Sequence, residues 1–193
     1  MRKILEHMLL ENEKEEWFDH RTLKHIDLVQ KAAKKIEQAH ILNGEDCGNL
    51  MQAVSDHDAS KLVEPERTPY VELTWQHKTK QRKYETPGTL PEKDINDATM
   101  HHILNNDHHP EFWNKEAAKN GKGEADDVKK VQCLDASKMP DLSIAEMVAD
   151  WQAMSEELKK NTAREWYNSQ KDVRWHFSEH QDELISRLLA VFE

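Results

Sequence analysis

Residues 22–39 read TLKHIDLVQKAAKKIEQA. Ile26, Val29, Ala33 and Ile36 recur there at steps of three and four, the repeat of one face of an α-helix. His25 sits at the edge of that stripe, and Asn43-Gly44 marks where the pattern stops. Upstream, residues 2–18 predict a shorter amphipathic helix carrying Ile4, Leu5, Met8 and Leu9. Downstream, a helix is expected from about Cys47 to Leu62, with Leu50, Val54, His57 and Lys61 on one face and Asp58 one step round. Residues 64–92 are punctuated by Pro65, Pro69, Pro87, Gly88 and Pro91, with room for a short helix over 70–82.

The helical pattern resumes beyond that stretch. From Lys93 to Asn106 the spacing places Ile95, Ala98 and His102 on one face, with His108-His109-Pro110 in the turn that follows. Residues 114–141, containing Asn120-Gly121-Lys122-Gly123, read as a surface loop with at most one helical turn. Ser143…Glu146 has the form of a capping box, opening a helix with the stripe Ile144, Met147, Val148, Trp151 and Leu158. Thr162…Glu165 and Ser178…Gln181 offer two more, the last before a helix through Leu184, Ile185, Leu188, Leu189 and Phe192.

Composition agrees with these patterns. A chain of 193 residues with 37% hydrophobic and 33% charged residues suits helices with heavily solvated outer faces. Only 5 Gly and 6 Pro leave too few turn residues for a sandwich or barrel. The expected fold is all-α, a single domain over 1–193 with a motif-bearing core at about 20–160 and C-terminal helices 161–193 packed on it. The net charge of −10 argues against a groove for long DNA or RNA, because such grooves neutralise phosphates with Lys and Arg. It leaves room for a small phosphorylated ligand beside a bound dication. Cys47 and Cys133 form no CxxC, no apolar run is long enough to span a membrane, and the N-terminus lacks the pattern of a secretory signal, so a cytoplasmic location is expected.

The chemistry-bearing residues are the histidines. Of the 12, many are grouped near His57-Asp58, with His25 upstream and His101, His102, His108 and His109 downstream; Asp150 follows. Imidazole nitrogens with carboxylate oxygens suit Zn, Mn, Fe, Co or Ni. A helical bundle can bring such side chains together from separate helices. A histidine at the edge of an apolar stripe is equally at home as a hydrogen-bonded core residue. The run Lys78, Lys80, Arg82, Lys83 could close over a polyanion or be wet surface. Trp75, Tyr84, Phe112 and Trp113 could stack a base or be buried under loops, whereas Trp17, Trp151, Trp166 and Trp175 read as core. No phosphate-cradling G-x-x-x-x-G-K, HExxH or nucleophile elbow is present.

The ordered set His25, His57-Asp58-Ala59-Ser60-Lys61 and Asp150 within Glu146–Trp151 resembles the HD superfamily of metal-dependent phosphohydrolases. Residues 57–61, 101–111 and 146–151 resemble more closely a small HD-like family of bacteria and phages, over roughly residues 20–160. The resemblance implies that His25, His57, Asp58 and Asp150 hold a divalent metal (Mn, Fe, Co, Ni, Zn or Mg). It further implies that His102 and His109, with His108 a close competitor and His101 a further candidate, could hold a second ion or contact substrate phosphate. The implied reaction is hydrolysis of a nucleotide or similar small phosphorylated molecule. Lys61 would steady the developing charge and Glu146 would act as base or orient water, unless its cap alone explains it. Superfamily members often dimerise, which allows a homodimer. Two rival functions fit the same residues: a di-iron oxygenase, and a non-enzymatic metal-containing protein that binds a nucleotide or a host protein.

Overall fold

The computed structural model describes residues 2–79, 90–120 and 133–193, with side chains from Leu9 onward. Lys80, Arg82, Lys83, Tyr84, Pro87, Gly88 and the segment Gly121–Gly123 lie outside the described residues, as do the side chains of Ile4, Leu5 and Met8. The protein is mostly helical: α1 (Arg2–Gln38), α2 (Gly44–Ala53), α3 (Arg67–Thr79), α4 (Glu92–Asn105), α5 (Lys115–Lys119), α6 (Asp141–Leu158), α7 (Ala163–Gln170) and α8 (Glu179–Leu189). Two short strands, β1 (Leu134–Asp135) and β2 (Trp175–His176), pair in parallel with Leu134 opposite Trp175. Among the described residues no helix is long and apolar enough to cross a membrane.

The chain forms two compact units, one of Met1–Lys24 with Asp58–His102, the other of His25–His57 with Ile103–Glu193. In the first, Arg67 of α3 makes two hydrogen bonds to Asp19 of α1, at 2.6 and 3.1 Å. Lys78 lies over the rings of both Trp17 and Trp75, at 4.4 and 4.3 Å. In the second, α6 is the central helix and packs against α2, α7 and α8. Its Ile144, Met147 and Val148 are fully buried, each contributing about 1.5–3 kcal/mol relative to exposure. The predicted stripe of α8 is buried through Leu184, Ile185, Leu188 and Leu189. The Gln181 amide donates to the carbonyls of Ala136 and Met139, tying that helix to the β1 segment.

The structure corrects several expectations, the first of them the surface loop over 114–141, whose end holds β1 and buries Leu134, Ala136 and Met139 because this segment pairs with β2. The two N-terminal helices are one 37-residue helix, because no Gly or Pro interrupts residues 18–22 and buried Phe18 and Thr22 carry the stripe on to His25 and Val29. The helix expected to reach Leu62 stops at Ala53. There Ser55 Oγ donates back to the Gln52 carbonyl at 2.8 Å, a side-chain bond that competes with the helical ladder. A 3-10 turn over Val54–Asp56 follows, then His57 with a non-helical backbone (φ −50°, ψ 129°) and Asp58 left-handed at φ 59°. Asp is one of the few non-glycine residues to visit that region readily. His57 and Lys61 therefore do not share a helix face.

The Ser143…Glu146 capping box also does not form. The helix already starts at Asp141, behind Pro140, so both residues lie inside it and are buried. Leu158, expected in the buried stripe, is 49% exposed at the end of α6, where Lys159 turns left-handed. The boxes at Thr162…Glu165 and Ser178…Gln181 both form. Trp151 and Trp175 are buried as expected, while Trp17 and Trp166 are only half-buried.

Candidate metal centre

Three segments of the second unit bring histidines onto one face of α6. His25 comes from α1, His57 from the position just after the 3-10 turn, and His108 from the turn after α4. Asp150 of α6 receives them. Its Oδ1 lies 3.0 Å from His25 Nε2 and 3.9 Å from His57 Nε2. The His57 ring stands 5.7 Å from that of His25 and 4.3 Å from that of His108, centre to centre. His57, His108 and Asp150 each offer a ligand atom within 4.8 Å of the others.

The opposite edge of each ring meets a glutamate. Glu146 Oε1, one turn before Asp150, lies 2.9 Å from His57 Nδ1 and 3.4 Å from His108 Nδ1. Glu157 Oε2 lies 3.4 Å from His25 Nδ1. At His57 and His108 a carboxylate at Nδ1 retains the proton there and directs the Nε2 lone pair the other way, the usual arrangement behind a metal-ligating histidine. Burial opposes the charge on Asp150, but the hydrogen bond from His25 and charge interactions with His25, His57 and His108 outweigh it, holding its carboxyl far below the usual range. Burial likewise opposes ionisation of Glu146, and hydrogen bonds from His108 and His57 lower its carboxyl nonetheless. The donor set of imidazoles and one ionised carboxylate fits a first-row divalent ion. A second grouping, Asp107, His108 and Glu146, shares two of these residues but includes the exposed Asp107.

A cavity of about 350 Å³ adjoins the cluster within the same unit. His108, His109 and Asp150 line one part of it; Trp166, Arg174 and Trp175 line another. Arg174 and Trp175 are set by Glu111, which is fully buried. One oxygen of Glu111 accepts from Trp175 Nε1 at 2.8 Å and from the Arg174 guanidinium at 3.2 Å.

The first unit contains its own histidine–carboxylate group. Buried Asp58 accepts from Lys61 Nζ at 2.6 Å through Oδ2, and its Oδ1 lies 3.1 Å from His102 Nε2. The other nitrogen of His102 is 2.9 Å from Glu66 Oε2, and His101 Nδ1 is 2.6 Å from Glu66 Oε1. Ser60 Oγ also donates to Glu66 at 2.8 Å. Burial of Glu66 works against its charge, yet the bonds from His102 and His101 bring its carboxyl below the usual range.

Sequence reasoning thus named His25, His57 and Asp150, which the fold brings together, and placed His102 correctly on the buried face of α4 with Ile95 and Ala98. The fold brings His108 to the cluster; His109, half-buried, lines the cavity with its ring 4.3 Å from that of His108. Glu66, Glu111, Glu157 and Arg174 were not anticipated as site residues. Glu111 alone had a signal, as the last residue of the 101–111 stretch; the others are common charged residues without distinctive spacing. A model of a family of unknown function, DUF5662, matches residues 14–190. No curated protein and no solved structure matches the chain.

Proposed function

We propose that this chain, which belongs to the family of unknown function DUF5662, is a metal-dependent phosphohydrolase acting on a nucleotide or a similar small phosphorylated molecule. The observation that carries this reading is the convergence of His25, His57 and His108 on Asp150, with glutamates behind the rings and a cavity alongside. The order of His25, His57-Asp58 and Asp150 along the chain, similar to that of the HD superfamily, supports it further. Within the second unit, His25, His57, His108 and Asp150 would hold the ion. A divalent ion there supplies a Lewis acid that activates water near neutral pH and polarises a phosphoryl oxygen.

The protein's residues perform the rest. Glu146 would keep the Nδ1 protons of His57 and His108, so that their Nε2 atoms stay lone-pair donors as the charge of the reaction changes. Glu146 is thereby a positioning residue, since proton transfer would require it to release His57 and His108. His109 and Arg174 face the cavity, where a phosphate would meet them. The cavity's size suits a small molecule better than a polymer.

Elemental analysis of the purified protein and of Asp150→Ala, alongside phosphate release from a nucleotide panel, tests the reading. The expected result is about one divalent ion per wild-type chain, with strongly sub-stoichiometric metal and lost hydrolysis in the variant while the helical circular dichroism is kept. Full metal occupancy in Asp150→Ala would falsify the ligand set. Tight nucleotide binding without turnover under any of Mn, Fe, Co, Ni, Zn or Mg would make the protein a binder. A coloured iron protein that consumes O₂ would make it an oxygenase.

A further inference from the structure

Two residues that line the cavity, Arg174 and Trp175, are held by one buried carboxylate. Glu111 is 1% exposed, and its Oε1 receives both Trp175 Nε1 and the Arg174 guanidinium. Its other oxygen has no hydrogen-bond partner among the described residues. The guanidinium also lies over the Trp175 ring, 4.4 Å from its centre. Arg174 is therefore fixed twice, by a charge-assisted bond and by a ring face. Among the described residues that bond to Glu111 is the only hydrogen bond of the guanidinium, leaving most of its five donors uncommitted. A planar fork held in this way is suited to a phosphate, which accepts two parallel hydrogen bonds.

The aromatic residues around the same cavity are not equivalent. Trp151 and Trp175 are stacked on each other, centres 5.9 Å apart and planes 17° apart, and Trp151 also stacks with Tyr167. Trp166 lines the cavity half-buried and has no stacked ring among the described residues. It stands on α7, whose N-terminus is secured by the Thr162–Glu165 capping box. An aromatic ligand would find its open face there.

We propose that this cavity is a nucleotide pocket in which Arg174, set by Glu111, binds the phosphate and Trp166 stacks the base. The proposal rests on the phosphohydrolase reading in one respect. Asp150 lines the same cavity, and a phosphate would be repelled by its carboxylate unless a dication stood between them. Exposed Lys160 adds positive charge at the rim, while Met147 and Met154 supply apolar lining. The mixture of a few polar groups with apolar and aromatic walls is typical of small-ligand sites.

The test is equilibrium binding by calorimetry to the protein as isolated. Its probes are phosphonate analogues of four nucleoside 5′-monophosphates, with methylene in place of the ester oxygen, and the matching nucleosides. Wild type should bind at least one phosphonate about tenfold or more tightly than its nucleoside. Arg174→Gln should erase that preference, and Arg174→Lys should restore part of it by keeping the charge without the fork. Trp166→Leu should weaken phosphonate and nucleoside alike, by about tenfold. Wild type that binds none of the probes overturns the proposal, as do folded Arg174→Gln and Trp166→Leu proteins that bind as wild type does. Metal analysis of the same batches separates the two readings: binding without metal removes the hydrolase and the need for a dication beside Asp150 but keeps Arg174 and Trp166 as the pocket, whereas full metal without binding removes the pocket and keeps the hydrolase.

Discussion

Both units of this protein bury histidine against carboxylate, but they use the imidazole ring differently. In the second unit each ring has a glutamate at Nδ1, and the Nε2 atoms of His25 and His57 point to the same oxygen of Asp150. In the first unit His102 is held by a carboxylate at each nitrogen, Asp58 on one side and Glu66 on the other, and Glu66 takes His101 as well. The former converges on Asp150, with His25 hydrogen-bonded to its carboxylate and Glu146 behind His57 and His108. The latter is a run of close pairs, Lys61–Asp58, Asp58–His102, His102–Glu66 and Glu66–His101.

The contrast can be broken by experiment. The largest effect is expected from Glu146→Gln, which keeps the shape of the residue but removes the charge behind His57 and His108. Metal affinity should fall by about 10–100-fold, measured by competition with a chromogenic chelator. Unchanged affinity would mean that Glu146 is only a buried acceptor. Glu66→Gln is the matching change in the first unit. It should lower unfolding stability in urea by about 1–3 kcal/mol, because a buried charged acceptor of several hydrogen bonds is lost. Its effect on metal affinity should be smaller than that of Glu146→Gln; an equal loss of metal would erase the distinction between the clusters.

The smallest effect lies in the pH dependence of that stability difference. The Glu66 carboxyl is lowered in the folded protein from an ordinary value of 4.5. Its ionised form therefore contributes fully above that value, and the contribution is lost as pH falls through the lower folded value. The gap in stability between wild type and Glu66→Gln should be constant above about pH 5 and narrow below about pH 4.5. A gap that widens on acidification would reverse the sign assigned to Glu66.

His57 shows how much of the site could be read in advance. Its adjacency to Asp58 marked it, and the marking needed no structure. The route by which it reaches α6 was misread, because a +4, +3, +4 spacing was extrapolated as one helix through a segment where Ser55 ends the ladder and Asp58 turns left-handed. His108 and His109 are indistinguishable as adjacent residues in a turn. Only the path of the chain after α4 brings the first against His57 and leaves the second on the cavity wall.

Sequence alone determined the helical class and most of the buried stripes, because helical periodicity and capping are local properties written within ten or twenty residues. It also determined which side chains were chemically able to hold a metal. Tertiary structure decided which of them meet, and from which nitrogen. It placed Glu146 behind two rings instead of at a helix cap, and it paired Arg174 with Glu111 across 63 positions of chain. Such pairings depend on the packing of distant segments, whose charges and hydrogen bonds leave no periodic trace in the order of residues.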